Sequence, residues 1–452
     1  MVFPHARTFT LLDVGGRERV HGSSDRPSNQ RYTLPTLSTP EQEQTTKPGI
    51  LTKRTVPIFV AFFFWGAGGG AQNLGRPLFA YSLEPNIFLV TLILAFNAVA
   101  ILVASPITGF MSDKWGRKPL MITGASLRAV TAFIEMFIDS YIEFFVLEFI
   151  GGIGIAMWMT SANILIADVT DQEVRGRVVA LRGMSQRLGQ VAGPLMGGML
   201  LLFFDFRAIF LFNGVTKVAT LAVALFFIGE SKPKAVPKAQ NAPEKKQGSI
   251  SSKLAPFKTK PFLFLVLATF AVSMMGQGVF QTLLPLYAQE LADLSPTSIG
   301  TLLGMGGIVA VVVAFPNGML SDKYGRKFSL VPGLFLLAGA AFLLSISESY
   351  IGILAMVLLY GLAWGMSQST SQVYAMDLAP KEGRGAFLGV WSLFQASGGF
   401  VAPLAVGAMA QWWSFGGAFI LVAIWLGVSA LLIALFAPET KTKEPDTTLS
   451  PK

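Results

Sequence analysis

Seven ionisable side chains lie inside stretches that are otherwise almost wholly apolar: Arg76, Arg128, Glu135, Glu148, Arg182, Arg187 and Lys217. A charge at the centre of a hydrocarbon layer costs at least about 2.5–3.5 kcal/mol, so each needs a partner or a purpose. Two kinds of chemistry suit them. A carboxyl beside a guanidinium can exchange a proton while the pair breaks and re-forms, because burial disfavours the carboxylate and the guanidinium favours it. Unpaired cations attract an anion. Depth sorts the seven. Counted from the basic ends of their spans at about 1.5 Å per helical residue, Arg76 lies at roughly 30 Å, Glu148 at roughly 27 Å and Glu135 at about 24 Å. Arg128 and Arg187 fall near ~13 Å and Lys217 near ~18 Å, where the spans hold no acid. Arg76 and Glu148 are expected to pair, with Glu148 the proton-coupling group. Arg187, with Arg182 or Lys217, is expected to attract an anionic group of a bound solute. The competing structural roles are a static pair and arginines bonded to backbone carbonyls.

Those depths presuppose helices that cross a membrane. Of 452 residues, 52% are hydrophobic and only 13% charged, against about 25% charged in a soluble chain. A helix needs about 20 apolar residues to cross. Six candidate spans run 57–80, 87–110, 119–139, 142–166, 178–203 and 208–229; six more run 262–288, 296–318, 328–347, 350–375, 387–410 and 416–437. The expected organisation is a disordered cytoplasmic tail at 1–54, a six-helix bundle at 55–229, a Lys-rich cytoplasmic linker at 230–261, a second bundle at 262–438 and a cytoplasmic tail at 439–452. Alternate loops carry Lys114, Arg117, Lys118, Arg175, Lys323, Arg326, Lys327 and Arg384, while those on the other side carry Glu84, Asp139, Asp205, Glu290 and Glu348. The net charge of +9 thus reads as positive-inside topology, with both termini cytoplasmic, and not as nucleic-acid binding. Cysteine is absent, and both histidines, His5 and His21, lie in the tail. No thiolate or His metal cluster and no cofactor is expected.

The chain repeats itself at an offset of 209 residues. Gly109-Phe-Met-Ser-Asp113-Lys-Trp-Gly116-Arg117-Lys118 returns as Gly318-Met-Leu-Ser-Asp322-Lys-Tyr-Gly325-Arg326-Lys327. Asp168 maps to Asp377, Arg175-Gly176 to Arg384-Gly385, and Glu230 to Glu439. Small residues let helices approach closely. An Asp near a facing helix N-terminus gains from the helix dipole, and an Arg can clasp a carboxylate such as Asp168. These residues are expected to act as a latch that forms only while two bundles touch on the inner side.

The pattern G-x-x-x-D-[RK]-x-G-R-[RK] after the second and eighth of twelve spans resembles the major facilitator superfamily, over roughly residues 55–440. The resemblance implies an all-α membrane protein of two pseudo-symmetric six-helix bundles around a cavity of alternating access, lined by helices 1, 4, 7 and 10. It assigns the latch to Gly109, Asp113, Gly116, Arg117 and Asp168, and to Gly318, Asp322, Gly325, Arg326 and Asp377. The run Gly189-Gln-Val-Ala-Gly193-Pro194-Leu-Met-Gly197-Gly198 resembles the fifth-helix signature of the drug:proton antiporter branch, where glycines four apart flatten a packing face. The fourth span departs from that branch, with Glu148 in the position of its usual Arg. On lining helices, Trp65, Trp158, Trp364, Gln277, Gln281 and Gln368 join Arg187 and Arg182 as expected solute contacts, and the Arg76–Glu148 pair is expected to face the cavity. Arg128 on helix 3 and Lys217 on helix 6 would be peripheral. The implied protein is a monomeric secondary transporter of the cell membrane. It would exchange a lipophilic small molecule for protons. An organic-anion carrier and a non-transporting receptor or scaffold are the alternatives, and an enzyme is not expected.

Overall fold

A computed structural model describes residues 51–231, 259–380 and 384–440. The expected N-terminal tail up to residue 50, most of the expected linker and the end of the C-terminal tail fall outside them. The described residues form helices without strands. In the first half these are α1 (Val56–Leu83), α2 (Ile87–Trp115), α3 (Arg117–Ile134), α4 (Tyr141–Val169), α5 (Gln172–Leu200) and α6 (Arg207–Phe227). The second half holds α7 (Lys260–Glu290), α8 (Pro296–Tyr324), α9 (Arg326–Ser345), α10 (Tyr350–Leu378), α11 (Arg384–Trp412) and α12 (Phe415–Phe436). Nine of them are long and apolar enough to cross a membrane. The other three, α1, α3 and α5, carry the glycines, amides and arginines that the fold turns inward.

Each half uses the same packing. In the first, α1 packs on α5 and α6, and α4 on α2 and α3. In the second, α7 packs on α11 and α12, and α10 on α8 and α9. The helices overrun the expected apolar spans. Asp113 and Lys114 lie in the last turn of α2, and the expected loop shrinks to Gly116. Gly116 and Gly325 turn the chain with φ of +94° and +105°, a region that only glycine enters freely.

Glycines set the closest approach in the first half. A Cβ on Gly189 would stand 2.2 Å from the carbonyl oxygen of Phe63, and one on Gly193 would stand 2.3 Å from that of Ala67. On the facing helix, Gly66 and Gly70 meet Gln186 and Gln190. The Gly189–Gly198 motif therefore packs α5 on α1. Its last residue, Gly198, turns to the other half and meets Thr297.

The halves join along α2–α11 and α5–α8. The contacts lie toward the ends that carry the acidic loops. Thr297 Oγ1 donates to the Gly198 carbonyl at 2.8 Å, the Ile87 amide donates to Gln411 Oε1 at 2.8 Å, and the rings of Phe88 and Trp412 lie 5.1 Å apart. Toward the basic ends, a Cβ placed on Gly109, Gly183, Gly318 or Gly389 would meet nothing within 4 Å. Among the described residues, the hydrogen bonds and ring contacts between the halves gather at the acidic-loop end, and none joins the basic ends.

Gly193→Ala is expected to lower stability by about 1–3 kcal/mol, the usual penalty of overpacking. Gly109→Ala, in open space on a helix, is expected to hold or gain about 0.5–1 kcal/mol. Thermal unfolding of the two variants in detergent, beside the parent, checks the contrast.

Candidate functional site

Glu148 on α4 is fully buried, and its carboxylate collects donors from three other helices. Oε1 receives Gln72 Nε2 at 2.7 Å, Arg76 Nε approaches it to 3.3 Å, and Arg128 Nη2 also reaches it at 3.3 Å. Oε2 receives Asn97 Nδ2 at 3.0 Å. Arg128 also donates from Nη1 to Glu135 Oε1 at 2.8 Å and to Thr131 Oγ1 at 2.7 Å. Gln72 Oε1 accepts from Asn213 Nδ2 at 3.2 Å, which brings α6 into the same network. Glycines make the space: a Cβ on Gly151 would stand 3.0 Å from Arg128 Nη1, and one on Gly152 would stand 2.7 Å from the Asn97 carbonyl.

The expected Arg76–Glu148 contact is therefore present, but only Arg76 faces the cavity: Glu148 is wholly buried behind it, and the two belong to a larger unit. Arg128, read as peripheral, is 1% exposed and ties Glu135 to Glu148. Counting depth along the helix missed this because Arg128 and Glu135 stand two turns apart on one face. Their long side chains span that gap. Lys217 is also buried; its Nζ donates to the Trp65 carbonyl at 2.8 Å and lies 4.3 Å over the Trp65 ring.

A central cavity opens between the halves in two adjoining lobes of about 380 and 330 Å³. Asn73, Gln277, Gln281, Trp364 and Gln368 line both. Arg76 faces one lobe and Arg187 the other. The α7 backbone widens to π-helical turns over Met274–Leu283, which carry Gln277, Phe280 and Gln281. Such turns recur at functional sites. Phe280, Tyr360 and Trp364 form a stack, with successive centroids 3.9 and 5.4 Å apart.

Three expected contacts lie elsewhere. Trp158 is 0% exposed and stacks on Trp65 at 5.1 Å inside the first half, so both belong to its core and neither lines the lobes. Arg182 is held by Asn163 Oδ1 at 2.7 Å and lies 4.6 Å over the Phe62 ring. Sequence reasoning passed over Gln72, Asn73, Asn97 and Asn213. The available signal was an amide inside an apolar span, used only for the second half.

The repeated motif forms a clasp within each half. Arg117 Nε meets Asp168 Oδ2 at 2.9 Å, and Arg326 Nε meets Asp377 Oδ2 at 3.0 Å. Arg117 also pairs with Asp113 at 3.3 Å, and Arg326 with Asp322. Glu230 accepts from the Arg117 amide at 2.9 Å, and Glu439 from the Arg326 amide at 2.7 Å. Each carboxylate thus caps a helix N-terminus and favours its dipole. The expected bridge between bundles is not what these residues make here: their partners lie on their own half, since the halves are apart at this end.

Two repeated helical halves around an internal cavity, most of whose helices are long and apolar enough to cross a membrane, define a membrane transport protein. The family model for the Major Facilitator Superfamily matches residues 58–403 and 295–452, and the chain belongs to that family. It is a multi-pass membrane protein and a secondary transporter. It is 25% identical over 405 residues to the multi-drug resistance efflux pump PmrA of Streptococcus pneumoniae, covering 87% of this chain and 95% of the pump. It is 26% identical over 316 residues to the class H tetracycline resistance protein of Pasteurella multocida, covering 69% and 77%. Among solved structures, a D-xylose–proton symporter matches with a TM-score of 0.71 at 16% identity, covering 86% of this chain and 98% of that one. A bacterial homologue of the lysosomal transporter Spinster, inward-facing and unoccupied, matches with a TM-score of 0.69 at 14% identity, covering 84% and 95%.

Arg128→Leu leaves two buried carboxylates short of a partner and is expected to cost about 3–5 kcal/mol. Arg128→Leu with Glu135→Leu is expected to recover most of it, because the pair leaves together. Unfolding midpoints of the two single variants, the double variant and the parent measure the coupling. Glu230→Ala is expected to cost about 0.5–2 kcal/mol as a lost helix cap, read by the same assay.

Proposed function

We propose that this protein is a monomeric, twelve-span antiporter of the cell membrane that exports lipophilic compounds in exchange for protons. Both termini would be cytoplasmic. The carrying observation is a buried ion cluster, Arg76–Glu148–Arg128–Glu135, one member of which also lines the central cavity. The efflux and resistance names of relatives aligned over most of their length support the direction. The basic loops support the orientation, with the open end inward.

In this reading Glu148 is where a proton enters. Its carboxylate holds two guanidiniums, from α1 and α3, on α4. A proton would cancel the charge that they share. Arg76 at the cavity lining and Arg128, buried behind it and still paired with Glu135, would then lose the carboxylate between them, and the ties from α1 and α3 to α4 would weaken. The gain from rearranging the helices is what would couple protonation to access. The α5–α8 and α2–α11 seams, closed at the acidic-loop end, would part while the basic ends meet. The residues of the repeated motif would gain partners across the halves only in that second state. Phe280, Tyr360 and Trp364 would supply the apolar wall for the solute, while Gln277, Gln281 and Gln368 would supply adaptable hydrogen bonds.

Glu148→Gln in proteoliposomes tests this. The amide keeps the shape and cannot carry the proton. Export driven by an imposed pH gradient is expected to fall at least about 100-fold, within the range attributed to a positioned acid or base, while exchange of solute for solute without a gradient persists. Export that keeps its full dependence on the gradient contradicts the assignment.

A further inference from the structure

The cavity has an electrostatic character that proton exchange does not require. Its charged lining consists of Arg76 in one lobe and Arg187 in the other, and no Asp or Glu among the described residues lines either. Arg187 is exposed and pairs with no acid among the described residues. Arg76 touches Glu148, yet its Nε makes no directed hydrogen bond. Behind the lining, the first half holds three further bases (Arg128, Arg182 and Lys217) against two acids (Glu135 and Glu148). The second half offsets none of this at the lining, where it presents neutral amides and aromatic rings.

The spacing of the two guanidiniums follows from the α1–α5 contact. Gly66 meets Gln186 and Gly70 meets Gln190, so Arg187 stands level with about residue 67 of α1. Arg76 is nine residues further on, roughly 14 Å deeper at 1.5 Å per residue. Asn73, Gln277, Gln281 and Gln368, which line both lobes, bridge the interval with side chains able to donate hydrogen bonds. A flat apolar wall, the Phe280–Tyr360–Trp364 stack, runs beside them.

We infer that the exported solutes are lipophilic acids: aromatic or amphipathic molecules carrying a carboxylate, sulfonate or similar anionic group. The anion meets Arg187 near the open end, passes along the amides and reaches Arg76, while the apolar body lies on the aromatic stack. A lipophilic cation finds two like charges and no counter-ion. This inference rests on the exchange reading and narrows its solute. It carries an electrical consequence. One monoanion leaving as one proton enters moves two positive charges inward, and an inside-negative potential drives it. A monovalent cation exchanged for a proton moves none.

Three probes of matched shape decide the matter: naphthalenesulfonate, naphthalenesulfonamide and naphthylmethyl-trimethylammonium. Binding is measured on purified protein, and exchange in proteoliposomes with and without a potassium-diffusion potential. The sulfonate is expected to bind at least about ten-fold tighter than the neutral amide, a typical margin for a charge-assisted hydrogen bond. Arg187→Gln is expected to remove that margin while leaving the sulfonamide's affinity in place. Arg187 has no buried partner to strand, and retained sulfonamide binding reports a folded cavity. Sulfonate exchange is expected to accelerate under an inside-negative potential. Equal or tighter binding of the ammonium, no binding of the sulfonate, or a sulfonate affinity unchanged in Arg187→Gln overturns the inference. Arg187-dependent sulfonate binding without proton counterflow leaves the inference standing and overturns proton exchange. Proton counterflow with the ammonium alone does the reverse.

Discussion

A carboxylate placed in a hydrocarbon layer must be surrounded by donors, and Glu148 sets that requirement for the whole first half. Gln72 and Arg76 come from α1, Asn97 from α2 and Arg128 from α3. None of them reaches Glu148 unless the helices approach closely, and Gly151 and Gly152 on α4 permit that. The same logic extends outward. Arg128 brings in Glu135, and Gln72 brings in Asn213. Five helices share one polar knot, so a change of charge at its centre would act on all of them at once.

The duplicated chain has divided its labour. At the basic ends the two halves remain near copies: Arg117–Asp168 with the Glu230 cap, and Arg326–Asp377 with the Glu439 cap. In the interior they differ. The first half concentrates ionised groups, and the second presents amides and the Phe280–Tyr360–Trp364 stack. A scaffold repeated for packing thus carries charge on one wall and adaptable apolar surface on the other. The proposed exchange uses both walls, one for the proton and one for the solute.

Much of this was legible in the sequence for identifiable reasons. Apolar length and alternating loop charge gave the helices, and the 209-residue offset gave the repeated halves and the Arg–Asp clasps. The Arg76–Glu148 pair followed from similar depth. Depth failed for Arg128 because it fixes height and neither rotation nor reach; the side chain climbs two turns to Glu135. Trp158 was expected at the cavity because helix 4 is a lining helix in the resembled family; that choice of helix does not fix rotation either, and the face of α4 that carries Trp158 meets Trp65 and not the cavity. The Arg117–Asp168 partnership was read from the repeat, but not the condition on it: a motif gives chemistry without conformation, and the clasp does not wait for the bundles to touch. With the basic ends apart, Asp168 and Glu230 of the same half satisfy it. Glu230 and Glu439 were visible as a repeat, but their capping role depends on where α6 and α12 deliver the chain.

The central claim is that Glu148 gains and loses the transported proton within this knot. Infrared difference spectroscopy between acid and alkaline buffer observes the carboxylic-acid C=O stretch directly. The account predicts a protonated-carboxyl band on acidification that solute addition reduces, that vanishes in Glu148→Gln and that survives in Glu135→Gln. A band that persists unchanged in Glu148→Gln would contradict it.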